Sequence, residues 1–137
     1  MIALLTLTLL AQDVVMSPRP VERVPPVYPS IGEMHGVLAK CAVIYDVLPD
    51  GSPNNICVVC NTSLPAFVPQ SVSEFVNNEF VTEARAAVSQ WRFETNPDGA
   101  RQRVTGVEFM LENVETDNSL VWPAAPEPHQ CPDSPIT

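Results

Sequence analysis

A chain of 137 residues has room for one domain with a modest core and not for two. Its 16 acidic and 7 basic residues give a net charge of −9, which argues against nucleic-acid binding, a function that needs a clustered basic surface. Ten of the 15 prolines gather between Pro18 and Pro29 and again between Pro123 and Pro135, and they mark both ends as extended segments rather than core.

The chain opens with an apolar run, Met1 to Ala11, followed by Gln12-Asp13. A spanning helix needs roughly 20 apolar residues, and this run has the length of a secretory h-region instead. No Lys or Arg precedes Arg19, so the basic start of a signal peptide is missing. Export by a signal peptide over 1–11 is the leading expectation. A membrane anchor shortened by a misplaced start, or a buried N-terminal strand, are the competing ones. Residues 12–29 form a proline-rich linker, because Pro25-Pro26 and Tyr28-Pro29 disfavour helix at the residues before each proline.

The domain is expected over 30–113. Ser30 to His35 suits a single helical turn. From Val37 to Val47 the odd positions Val37, Cys41, Val43, Tyr45 and Val47 are apolar, as one face of a strand would be, while the even face mixes Lys40 and Asp46 with Leu38, Ala42 and Ile44. Leu48-Pro49-Asp50-Gly51-Ser52-Pro53 is a turn, since proline presets one dihedral and glycine permits a positive one. Asn54 to Cys60 returns as a second strand. Matching the apolar faces sets Tyr45 opposite Ile56, Val43 opposite Val58 and Cys41 opposite Cys60.

Leu64-Pro65 and Val68-Pro69 point to a loop, and Ser71-x-x-Glu74 resembles a capping box. We expect a short helix there, with Asn77-Asn78 interrupting it or capping the next. The next helix runs from Glu79 to Trp91, with Phe80, Ala84, Ala87, Val88 and Trp91 on one face. Asn96-Pro97-Asp98-Gly99 is a second turn, and Arg101 to Glu112 a last strand with Val104, Gly106 and Glu108 on one side and Thr105, Val107, Phe109 and Leu111 on the other. Residues 114–137 form an acidic, proline-rich tail. Hairpin, helix and strand assemble most simply as an α+β domain, a three-stranded antiparallel sheet with the main helix on one face.

Four cysteines in a small chain with an export-like start suggest disulfides. Cys57 and Cys60 have the spacing of redox and zinc motifs, but in a strand residues three apart point to opposite faces and cannot easily bond each other or share a metal. The structural reading pairs Cys41 with Cys60 across the hairpin and leaves Cys57 for Cys131. Glu33 with His35, and His129 with Cys131, sit in proline-flanked loops and read as solvated residues rather than metal ligands. Asp46 is a strand-face residue and Asp50 a turn residue, so they make no catalytic pair. No phosphate loop, nucleophile elbow or identifiable triad is present, and we expect neither an enzyme nor a cofactor. Trp91 and Phe93 read as core aromatics that lock the helix onto the sheet.

In order along the chain stand Pro26-Val27-Tyr28-Pro29, Gly36-Val37, Tyr45-Asp46-Val47-Leu48-Pro49-Asp50-Gly51 and Asn55-Ile56-Cys57-Val58. Phe80, Ala84, Ala87, Trp91-Arg92-Phe93-Glu94, Asp98-Gly99 and Val107-x-Phe109 follow. This ordered set resembles the C-terminal domain of the TonB family of energy transducers over roughly Pro25 to Leu111. The resemblance implies a periplasmic, non-enzymatic domain in which Tyr28, Pro29, Tyr45, Asp50, Gly51, Phe80, Trp91, Phe93 and Gly99 are structural. It implies that the exposed edge of the last strand, Arg103, Val104, Thr105, Gly106, Val107, Glu108, Phe109 and Leu111, takes up a segment of an outer-membrane TonB-dependent transporter or related envelope protein by strand addition. Contact with an inner-membrane proton-channel complex would require a longer N-terminus. A linker of about 20 residues at roughly 3 Å each reaches about 60 Å, short for bridging two membranes. The second expectation is therefore a stand-alone accessory or structural envelope domain, a homodimer through the same edge, with no energy-transducing role.

Overall fold

The computed structural model describes residues 18–112, 114, 119–127 and 131; the apolar run 1–11 and His129 lie outside them. In chain order the elements are β1 (Pro20–Glu22), α1 (Ser30–Met34), β2 (Ala39–Val47), β3 (Pro53–Thr62), α2 (Gln70–Ser89), β4 (Arg92–Phe93) and β5 (Ala100–Phe109). Strands β3, β2 and β5 form an antiparallel sheet in that order, with β2 in the centre, and α2 lies on one face. The domain is thus α+β with a three-stranded antiparallel sheet and one main helix. Among the described residues, no helix is long and apolar enough to cross a membrane.

The hairpin follows its alternation at Cys41 opposite Cys60 and Val43 opposite Val58, then breaks. A register shift falls between Ile44 and Asp46, so the ladder is interrupted at Tyr45, where strict alternation sets Ile56. A second shift on the other side of β2 lies between Tyr45 and Val47. Asn55 and Gln102 take left-handed backbone angles, φ 52° and 54°, as bulged residues do. One carboxylate ties the two irregularities together: Asp46 Oδ2 accepts from Asn55 Nδ2 at 2.8 Å, and Oδ1 accepts the Gln102 backbone N–H at 2.8 Å. The strand-face aspartate is a buckle for both neighbours of the central strand.

The expected pair of helices is one. Helix α2 runs unbroken from Gln70 to Ser89, with Val76, Phe80, Ala84, Ala87 and Val88 buried. Asn77 does not interrupt it because its side chain leaves the helix backbone alone and donates to the Cys60 carbonyl on β3 at 2.8 Å. Nor does Ser71 cap it. The helix begins behind Pro69, whose carbonyl accepts the N–H groups of Val72 and Ser73. At the other end Gln90 is the C-cap, so Trp91 lies beyond the helix rather than in its last turn. Arg92 donates to the carbonyl of Ser89, the last helical residue, and to that of Trp91 just past the helix end.

Both proline-rich ends lie on the sheet. On the helix side, β1 pairs with β4, Trp91 Nε1 donates to the Val24 carbonyl at 3.0 Å, and the Tyr28 hydroxyl donates to the Val37 carbonyl. The Tyr28 ring meets Phe80 and Phe109 edge-on, at centroid distances of 5.7 and 5.6 Å. The core on this face joins Val43, Tyr45, Val58, Phe80, Val88, Trp91, Phe93, Val107 and Phe109. On the opposite face Ala42, Ile44 and Cys57 are also buried, and Leu120 of the tail is 6% exposed. Lys40 Nζ donates to the Leu120 carbonyl and Asn61 Nδ2 to that of Val121, each at 3.0 Å. Cys131 is disulfide-bonded to Cys57, and Cys41 to Cys60. Residues 119–127 and Cys131 therefore lie on the back of the sheet, although their sequence shows no strand or helix period.

Candidate functional site

A three-stranded sheet has two outer edges, and their surroundings differ here. On β3 the side chains of α2 reach the strand's carbonyls: Asn77 donates to that of Cys60 and Arg85 Nε to that of Ile56. Such contacts blunt an edge against a new strand. Among the described residues, the strand β5 pairs along its length with β2 and with no other strand. At its start Gln102 is bound to Asp46, and near its end the Phe109 carbonyl lies 3.4 Å from the Tyr28 hydroxyl.

The residues expected at this edge are not equivalent. Arg103 to Phe109 all lie in β5, while Leu111 lies past its end. Val107 and Phe109 point into the core and are buried, so their side chains hold the strand down. Arg103 is drawn to the helix side: its guanidinium stands 5.7 Å from the Phe93 ring centroid and donates to the Pro18 carbonyl at 3.1 Å. Thr105 is half-buried, and Val104, Gly106 and Glu108 are exposed on the back face. Among the described residues, no further strand pairs with the outer backbone edge of β5.

Strand β4 and the first turn meet in a corner of the sheet. Gly51 has φ 93°, and a side chain there would collide with the Phe93 carbonyl oxygen. The absence of one lets the Gly51 carbonyl accept the Phe93 N–H at 2.9 Å. Asp50 closes the turn by accepting from the Ser52 backbone N–H at 2.9 Å and hydroxyl at 2.6 Å; the hydroxyl, then the N–H, hold its carboxyl below the ordinary carboxylate range. The second turn docks beside it, the Asn96 N–H donating to the Pro49 carbonyl. Tyr45 meets Trp91 edge-on and Phe93 at a tilt, and its burial raises its hydroxyl pKa. Burial likewise pushes Tyr28 up to about 12, with Glu33 adding to it.

Among the described residues no cluster of three or more His, Cys, Asp or Glu could hold a metal ion, and Cys131 beside His129 is in a disulfide. One residue of the site surroundings went unmarked in the sequence. Trp122 lies over Gly106, and its signal was a large aromatic standing among prolines.

No family model matches the chain, and no curated protein matches it. Among solved structures it is similar to the solution NMR structure of the Pseudomonas aeruginosa TonB CTD. The identity is 25% and the TM-score 0.49, over 72% of this chain and 91% of that one.

Proposed function

We propose that this chain is a TonB-like protein-interaction domain of the cell envelope, and that it binds outer-membrane transporter segments by strand addition at β5 in TonB-dependent transport. The observation that carries the reading is an edge strand that pairs, among the described residues, with β2 alone, on a sheet whose other edge is guarded by side chains of α2. Extended peptides add to such edges through main-chain hydrogen bonds, so an edge without a side-chain signature is a sufficient site. The ordered residues from Pro26 to Phe109 that resemble the TonB family favour this partner class. Two disulfides agree with an oxidising compartment such as the periplasm.

The test is titration of the chain with the periplasmic N-terminal segment of such a transporter, followed by amide exchange. Binding should protect every second amide of Val104 to Phe109. Proline placed at Val104 and, separately, at Thr105 blocks amides that point to opposite sides of the strand. One variant should keep its fold and lose the peptide. Protection elsewhere, or binding indifferent to both prolines, counts against the reading. The open edge equally suits a second copy, as an accessory homodimer would use it. Sedimentation decides this, since a stable dimer through β5 would exclude the peptide.

A further inference from the structure

The back-facing row of β5 is Val104, Gly106 and Glu108, and Trp122 stands beside it. Gly106 provides the place for the ring: a Cβ there would lie 2.7 Å from a ring carbon of Trp122. Lys40 Nζ stands 5.7 Å from the ring centroid while it donates to the neighbouring Leu120 carbonyl. With Asn61 on Val121 and Cys57 on Cys131, the tail is held on both sides of this tryptophan. Yet Trp122 is 47% exposed and Val104 61%. Together with Ala42, Pro123 and Ala125 they line an open pocket of about 400 Å³. A held aromatic left half in water, next to a strand edge that no described strand pairs with, is an anchor for whatever pairs there.

A strand added to β5 places alternate side chains on this same face, opposite Val104, Gly106 and Glu108. Those opposite Val104 and Gly106 meet a valine and the tryptophan ring. The one opposite Glu108 meets a carboxylate whose cross-strand neighbour on β2, Lys40, is engaged with Trp122 and Leu120. We infer that the segment taken up at β5 carries two large apolar side chains two residues apart and a lysine or arginine two residues further toward Glu108, all on the back face, with Trp122 selecting the apolar pair. The inference rests on the reading of β5 as the docking edge.

Two peptides test it on the whole chain, one alternating Leu and Lys in that order and one with Thr in place of Leu. The Leu peptide should bind about tenfold tighter than the Thr peptide, the effect of burying apolar side chains. That preference should vanish in Trp122→Ala and survive in Trp122→Phe, and the affinity of either peptide should fall when Glu replaces Lys. Protection of β5 amides by both peptides with equal affinity for the native chain would overturn the inference and leave the docking edge standing. Failure of both peptides to protect β5 would remove the edge reading, and the inference with it. Because the comparison between peptides is made on the native chain, it stands even if Trp122→Ala loosens the tail.

Discussion

The two proline-rich ends of this chain lie on opposite faces of one sheet, and different forces hold them. Residues 18–29 complete the main core: Tyr28 fills the corner between Phe80 and Phe109, and Val24 accepts the Trp91 indole N–H. Residues 119–127 and Cys131 lie on a face of smaller side chains, Ala42, Ile44 and Cys57, and are tied by backbone carbonyls, one tryptophan and one disulfide. The difference teaches that proline content sets only the local, extended shape of a segment. Whether it packs depends on the few apolar and cysteine residues set among the prolines.

If that comparison is right, each end fails to a different insult. The largest effect belongs to the C-terminal end. The Cys57–Cys131 link closes a loop with a sequence separation of 74, for which loop-closure entropy gives about 4 kcal/mol. Cys131→Ala should lower unfolding free energy in urea by about that much and leave the tail amides open to exchange. An unchanged urea midpoint would mean that the tail adds nothing to the fold, and the symmetry of the two ends would be lost.

The N-terminal end should answer to an aromatic instead. Tyr28→Ala removes two ring contacts and a hydroxyl donor and should cost about 3 kcal/mol in the same measurement. Tyr28→Phe should cost about 1 kcal/mol. Because burial raises the folded pKa of Tyr28 above its unfolded value, the neutral phenol stabilises the fold fully below the ordinary value near 10. That contribution is lost as pH rises from there through about 12. Tyr28→Phe should therefore flatten the alkaline limb of the stability curve. An alkaline limb unchanged in Tyr28→Phe would place the titration elsewhere, with Tyr45, shifted in the same direction, the next to test.

At the contact between tail and β5 a smaller effect is due. Gly106→Ala sets a methyl against the Trp122 ring and should cost about 1 kcal/mol by overpacking, while making the indole more open to a soluble quencher. Unchanged quenching would show that Trp122 does not rest on Gly106.

Much of the main core was legible because it obeys a period. The odd residues of β2, the Cys41–Cys60 apposition and the stripe Phe80, Ala84, Ala87 and Val88 all follow from spacing alone. The helix boundaries were not, because Asn77 and Ser71 favour caps locally and only β3's Cys60 carbonyl, distant in sequence, gives the Asn77 amide another partner. The bulges at Asn55 and Gln102 were equally hidden, since Asp46 joins residues 9 and 56 positions away from it. Of the candidate site, the edge strand could be read from element order, but Trp122 could not be assigned to it. A segment without period reveals its partner only once the chain is folded.

The finest test concerns the corner where the N-terminal segment, β4 and the first turn meet. Phe93 is held from one side by Gly51 and by its pairing with Pro20 from the other, and the Glu94 N–H donates to the Arg19 carbonyl. If the N-terminal end is part of the core, loosening the Asp50 turn should be felt at β1. Asp50 has a depressed pKa from the Ser52 hydroxyl and N–H, so its contribution is present above the ordinary carboxylate value and is lost as pH falls through the lower folded value. Asp50 is fully exposed, and the effect on global stability should be small. Its trace should instead be local: as acid protonates Asp50, the amide signals of Ser52, Phe93 and Glu94 should shift together with one midpoint. Ser52→Ala, which removes the first of the two donors, should move that midpoint upward. If Ser52 responds and Glu94 does not, the turn and the N-terminal segment are uncoupled, and β1 rests on β4 without help from the hairpin.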